Sequence, residues 1–210
     1  MITNNLEYYE RAVCLGHYER ISSLPDEKYH KYANTCFGYK YRINPIASAI
    51  ARSQFRHLDE RNKRRNDGVM YMMDGIDACK GLYSVRPPAY IFRGYYGLPY
   101  VRYATEELGG LPKAKFLAAL RAEGAWVSSD APGGHGHLQA IFRERNHPAF
   151  TRPEVKREVK YEEGDLPNSE NPRQDLFTIP AFPTPNKELL DQYIEAFKKV
   201  TENADELLDN

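Results

Sequence analysis

The chain is poor in cysteine: its 210 residues hold three, Cys14, Cys36 and Cys79, with no C-x-x-C pair among them. An odd, scattered set does not build a disulfide framework and suits reduced thiols in the cytosol, so each is expected as a small, buried or half-buried apolar residue. Long hydrophobic runs are also missing. Nothing approaches the ~18 consecutive apolar residues of a membrane-spanning helix, and the N-terminus lacks the basic patch and apolar stretch of a secretory signal. These absences point to a cytoplasmic protein with no membrane partner. Net charge is absent too, with 29 Lys and Arg against 29 Asp and Glu, so the overall field gives no reason to expect nucleic acid. No internal repeat or low-complexity tract is visible.

What the chain does have is tyrosine, sixteen of them, a residue that supplies contact area and a hydroxyl at interfaces, or simply sits at the surface. The length allows one substantial core or two small ones. Thr3 with Glu7, followed by Leu6, Tyr9, Val13 and Leu15, predicts an N-capped helix ending near Gly16. An irregular polar connection through Pro25 is expected over 17–36. Asn44-Pro45 then opens a second helix, expected from Ile46 to about Cys79 with a possible break near Asp67-Gly68. On it, Ile46, Ala49, Ile50 and Ser53 share a face that should pack, while Arg52, Arg56, Asp59 and Lys63 lie on a wet one.

Beyond Gly81 and the Pro87-Pro88 boundary, Tyr90-Ile91-Phe92 and Tyr100-Val101-Arg102-Tyr103 read as strands. Lys113 to Glu123 predicts a short amphipathic helix stopped by Gly124, and Trp126-Val127-Ser128 a further strand. Residues 150–187, rich in proline and charge, should wrap over a surface before a last helix, Lys187 to Leu208. The order of elements implies an α/β class with a small α+β-like layer.

Two short segments carry candidate chemistry. Lys40-Tyr41-Arg42 lies in an aromatic turn before the second helix: Lys40 suits phosphate as a point charge or is an exposed turn lysine, and Arg42 suits a carboxylate, a phosphate or a plain ion pair with a helix acid. The loop Ala131-Pro132-Gly133-Gly134-His135-Gly136-His137 allows close approach of a ligand or is merely polar. His135 and His137 with His147 raise a metal site, with Asp130 as a possible fourth group, but two histidines at i, i+2 on a glycine loop are weak evidence for zinc. The basic run Arg61, Lys63, Arg64, Arg65 is interrupted by acids and reads better as a solvated helix face with i, i+4 pairs than as a nucleic-acid stripe.

The stretch Phe37 to Arg65, with its Lys40-Tyr41-Arg42 turn and Leu58-Asp59-Glu60 followed by Arg64 and Arg65, resembles the DegT/DnrJ/EryC1/StrS family of pyridoxal phosphate (PLP) aminotransferases. The resemblance continues through Gly124-Ala125-Trp126-Val127, His137-Leu138-Gln139-Ala140-Ile141-Phe142, Gly164-Asp165-Leu166-Pro167 and Ile179-Pro180-Ala181-Phe182 to the closing helix, covering nearly the whole chain. It implies the C-terminal portion of a fold-type I enzyme, with residues 1–45 as a remnant of the large domain and interface arm, 46–80 as a long connecting helix and 81–210 as the small α/β domain.

The family's Schiff-base lysine stands in an S-x-x-x-H-K context, and no lysine here has that setting, so no residue of this chain is expected to hold PLP covalently. The resemblance implies cofactor contacts from Lys40 and Tyr41 across a subunit interface, where Lys40 replaces an asparagine that binds the cofactor phosphate. It also implies substrate contacts from Arg42, His135 and His137. The function expected is that of the C-terminal subunit of a split aminotransferase acting on a keto-sugar or cyclitol, active as a hetero-oligomer with a separate lysine-bearing subunit. The alternatives are a non-catalytic scaffold or regulatory homologue that binds a full-length enzyme, and a truncated form of a longer enzyme.

Overall fold

The computed structural model describes residues 2–35, 38–95, 97, 99–129, 135–144 and 161–208. The chain forms two compact units, 1–57 and 58–210, dividing within the 46–80 segment. Cys36 and Phe37 lie outside the described residues.

The first unit opens with α1, Leu6–Gly16. Its cap is Asn5, whose side chain accepts from the Tyr8 amide at 3.1 Å, rather than Thr3. The Thr3 hydroxyl stands two positions too early and accepts from Asn5 N instead. The connection expected to be irregular contains two 3-10 turns, Tyr18–Ser23 and Glu27–Tyr32. Val13, Ile21 and Leu24 form its small core, with Cys14 half-buried against them. The buried carboxylate of Glu10 accepts from Asp26 N at 2.7 Å, tying the second turn to α1.

Next comes α2, Pro45–Phe55, with Asn44 accepting from Ile46 N at 2.8 Å and proline in the first turn. None of its eleven residues is buried, so Ile46 and Ile50 stand open where packing was expected. The chain turns at Arg56-His57, closed by His57 N donating to Gln54 O at 3.2 Å.

In the second unit α3, Leu58–Asp77, runs unbroken through Asp67-Gly68. Gly68 serves packing rather than a break: a Cβ there would lie 2.7 Å from the Pro185 ring. The sheet has three antiparallel strands in the order β1, Leu82–Ser84, β2, Tyr100–Tyr103, and β3, Leu176–Thr178. Leu82 pairs with Tyr103 and Val101 with Phe177.

Tyr90-Ile91-Phe92, expected as a strand, is not one: Ile91 N donates back to Pro88 O at 2.8 Å, closing a turn that takes it out of any ladder. Of Trp126-Val127-Ser128 only Ser128 joins the sheet, exchanging both backbone hydrogen bonds with Thr178.

The expected amphipathic helix is α4, Lys113–Ala122, followed by Gly124 at φ 87°. Short turns α5, Ala140–Arg143, α6, Pro167–Glu170, and α7, Pro172–Asp175, precede β3, so the later part of the expected wrap holds a strand of its own. The closing helix is divided into α8, Lys187–Glu202, and α9, Ala204–Leu208, at Asn203, whose amide side chain donates to Lys199 O at 2.7 Å.

One core joins α3, α4 and α8 to the buried face of the sheet, where Val101 and Tyr103 alternate with the exposed Arg102. Its aromatic spine runs Tyr103, Phe116, Phe177, Phe197, with successive ring centroids 4.8, 6.2 and 6.1 Å apart. Cys79 is buried in this core. No helix among the described residues is long and apolar enough to cross a membrane.

Candidate functional site

The turn before α2 is held against the end of α1 by backbone bonds. Tyr39 N donates to Leu15 O at 2.7 Å, Tyr41 N to Gly16 O at 2.9 Å, and His17 and Lys40 form an antiparallel bridge. Two glycines permit this approach. Gly38 sits at φ 153° with room for a Cβ only 3.1 Å from Leu15 O, and a Cβ on Gly16 would lie 3.3 Å from the Tyr41 ring. The exposed Tyr39 and Tyr41 rings stack at 5.1 Å.

The bridge places Lys40 beside the 3-10 turn that follows α1. Lys40 Nζ lies 3.0 Å from Glu19 Oε1 and Arg42 Nη2 lies 3.3 Å from Glu19 Oε2, so one carboxylate spans two cations with separate oxygens. Arg42 Nη1 also reaches His17 Nε2 at 3.5 Å, and Lys40 Nζ sits 5.5 Å from the Tyr18 ring. The hydrogen bond from Lys40, then its charge, holds Glu19 below the usual carboxylate range, while Glu19 raises Lys40. All three side chains are open to solvent, and the group carries one positive charge in excess. Two donors converging on one carboxylate, with charge in surplus, suit a phosphate group, for which Lys40 and Arg42 would be the holders. Of the readings of Arg42, the plain ion pair is the one seen, with Glu19 of the 3-10 turn as its acid.

In the second unit the His135 and His137 rings lie 5.8 Å apart but take different surroundings. His137 Nε2 lies 2.8 Å from Glu170 Oε1, in side chains only 7% and 11% exposed. The same carboxylate accepts from Gly164 N at 2.8 Å and Leu166 N at 3.1 Å. Gly164's amide first, outweighing desolvation, and then His137 hold Glu170 below its usual range. Tyr161 meets the His137 ring edge-on at 5.8 Å. His135 instead lines a polar cleft of about 450 Å³ with Lys113, Ser129, Glu163, Glu170 and Gln174. Asp130, residues 131–134 and His147 lie outside the described residues. Among the described residues no group of three or more His, Cys, Asp or Glu could hold a metal. On α3, Lys63 with Asp67 and Arg64 with Glu60 form i, i+4 pairs on a solvated face.

Sequence reasoning missed Glu19 and Glu170, the acids that organise the two clusters. Neither follows a motif, and each meets its partners only through the fold.

The family model for the DegT/DnrJ/EryC1/StrS aminotransferase family matches residues 1–198. The chain belongs to that family. Its aminotransferases are PLP-dependent in general. The spore coat polysaccharide biosynthesis protein SpsC of Bacillus subtilis (strain 168) is 23% identical over 168 residues, covering 80% of this chain and 39% of SpsC. The UDP-4-amino-4-deoxy-L-arabinose–oxoglutarate aminotransferase of Shewanella sediminis (strain HAW-EB3) is also 23% identical over 168 residues, covering 79% and 40%. The chain therefore spans about two-fifths of these curated relatives.

Among solved structures, the aminotransferase TlmJ from Streptoalloteichus hindustanus superposes with a TM-score of 0.64 at 19% identity, over 99% of this chain and 47% of TlmJ. S. venezuelae DesV gives 0.61 at 20% identity, over 96% and 46%. The fold is thus that of part of a fold-type I aminotransferase, as the sequence implied.

Proposed function

We propose that this chain is the C-terminal subunit of a split PLP-dependent aminotransferase whose acceptor is a keto-sugar or cyclitol. A separate lysine-bearing subunit holds the cofactor covalently, and the two work as a hetero-oligomer, this chain being inactive alone. The observation that carries the reading is the Lys40–Arg42 pair, held on a braced turn with charge to spare for an anion. The names of two relatives, one a polysaccharide biosynthesis protein and one an aminotransferase of an amino-arabinose nucleotide, favour a sugar acceptor.

PLP, when bound, supplies an electron sink for moving an amino group. This chain's residues bind and orient. Lys40 and Arg42 grip the phosphate, the Tyr39–Tyr41 stack stiffens the turn that carries them, and His135 meets the substrate from its cleft. His137 acts through its pair with Glu170, fixing the turn that presents His135.

The test is native mass spectrometry of the tagged chain from its own host, followed by Lys40→Ala in whatever complex is captured. A stoichiometric assembly with a lysine-bearing, PLP-carrying protein is expected, with PLP retained at least about tenfold less well in the variant, the size of losing a charge-assisted phosphate contact. A cofactor-free monomer or homodimer overturns the reading.

The second reading, a non-catalytic scaffold that binds a full-length homologue, is favoured by one observation: Lys40 and Arg42 already have an internal partner in Glu19. A captured complex whose PLP content and activity are untouched by Lys40→Ala would select it.

A further inference from the structure

We propose that Glu19 sets the anion selectivity of the Lys40–Arg42 pair, restricting it to a phosphate monoester dianion and rejecting carboxylates. The inference deepens the arm's proposed role by naming the ligand class, and it concerns the chain by itself.

Glu19 touches the two cations with different oxygens, Oε1 to Lys40 and Oε2 to Arg42, so it occupies the positions that two oxygens of an incoming anion would take. The bracing of the turn fixes this arrangement: the His17–Lys40 bridge holds Lys40 within two residues of Glu19's own turn. An arriving carboxylate can only exchange one monoanion for another. It repeats two contacts and gains nothing to offset the lost freedom of a second molecule. A phosphate monoester carries ~−1.5 to −2 charge at pH 7 and three acceptor oxygens. It can satisfy Lys40 and Arg42 together, keep an oxygen for His17 when that ring presents an N–H, and use the surplus positive charge that Glu19 leaves unmatched. The ion pairs being displaced are solvent-exposed and individually weak, so the dianion can prevail at modest cost. Arg42 is therefore assigned to phosphate, not to a substrate carboxylate.

The experiment titrates the full chain and its Glu19→Gln and Lys40→Ala variants with inorganic phosphate and with acetate, followed by NMR of the Lys and Arg side-chain nitrogens. The wild type is expected to prefer phosphate by roughly tenfold or more. Glu19→Gln should bind phosphate about three- to fivefold tighter and lose most of its discrimination against acetate, and Lys40→Ala should lose phosphate binding. Equal affinity for the two anions in the wild type, or unchanged affinities in Glu19→Gln, overturns the proposal. Pyridoxamine 5′-phosphate, a monoester, should shift the Lys40 signal at concentrations where phosphate does, whereas UDP-glucose, whose two phosphate groups are diester-like and carry one charge each, should not; a response to UDP-glucose instead overturns the restriction to monoester dianions.

These readouts need no partner subunit. A failure here with PLP still lost from a Lys40→Ala complex sinks the selectivity inference alone. Success here with no PLP-bearing complex sinks the split-enzyme reading alone.

Discussion

Gly75 on α3 and Ile194 on α8 meet so closely that a Cβ on Gly75 would lie 2.6 Å from the Ile194 Cδ1 and Cγ1 carbons. The missing side chain is what lets Ile194 enter the surface of α3. Gly75→Ala is expected to destabilise the chain by about 1–3 kcal/mol through overpacking, more than the ~1 kcal/mol that alanine gains in helix propensity. In denaturant unfolding, Ile194→Ala should cost less in the Gly75→Ala background than in the wild type, because it removes the clash. Additive costs would show that the two residues do not collide.

The buried hydroxyl of Tyr103 donates to Leu111 O at 2.7 Å, and burial pushes its pKa from 10.0 up to about 12. The unfolded chain therefore gives up this proton first as pH rises. Stability from Tyr103 is intact below about pH 10 and falls between about pH 10 and 12, by roughly 2–3 kcal/mol in all. Tyr103→Phe, which strands the Leu111 carbonyl, should cost about 1–2 kcal/mol at neutral pH. It should also flatten that alkaline limb in unfolding measured from pH 9 to 12. An unchanged limb would place the titrating group elsewhere.

The His137–Glu170 pair closes a loop onto α6. Glu170's carboxyl is held below its ordinary 4.5, so its contribution is present above that value and is lost as pH falls through the lower folded one. Glu170→Gln should speed amide exchange at Gly164 and Leu166 roughly tenfold at neutral pH, since both donate to the carboxylate. Acidification should bring the wild type toward the variant. Equal exchange in the two proteins at pH 7 would mean that Glu170 does not hold this turn.

Elements governed by local chemistry were legible in the sequence. Asn44-Pro45 capped and opened α2, Gly124 ended α4, and the alternation over Tyr100–Tyr103 made β2. What escaped depended on distant partners. Gly68 resembled a helix break because nothing nearby in sequence reveals that Pro185 fills the space above it. Tyr90-Ile91-Phe92 had strand composition but a proline-led turn, and β1 at Leu82–Ser84 was too short to show a period. Of the candidate sites, Lys40 and Arg42 were found by residue type and resemblance. Glu19 and Glu170 reach their partners across 21 and 33 positions, a separation that no spacing rule covers.

The openness of α2 has a consequence for how this helix exists at all. At eleven residues, with no side chain buried, it draws no stability from a core, and helices shorter than about 12–15 residues are marginal in water by themselves. Asn44 and Pro45 start the helix but do not hold its far end. With its face of Ile46, Ile50 and Phe55 bare, the helix rests on this local start alone, and the amides of residues 48–55 are a gauge of occupancy, expected to exchange freely when that face is bare and to be protected when it is covered.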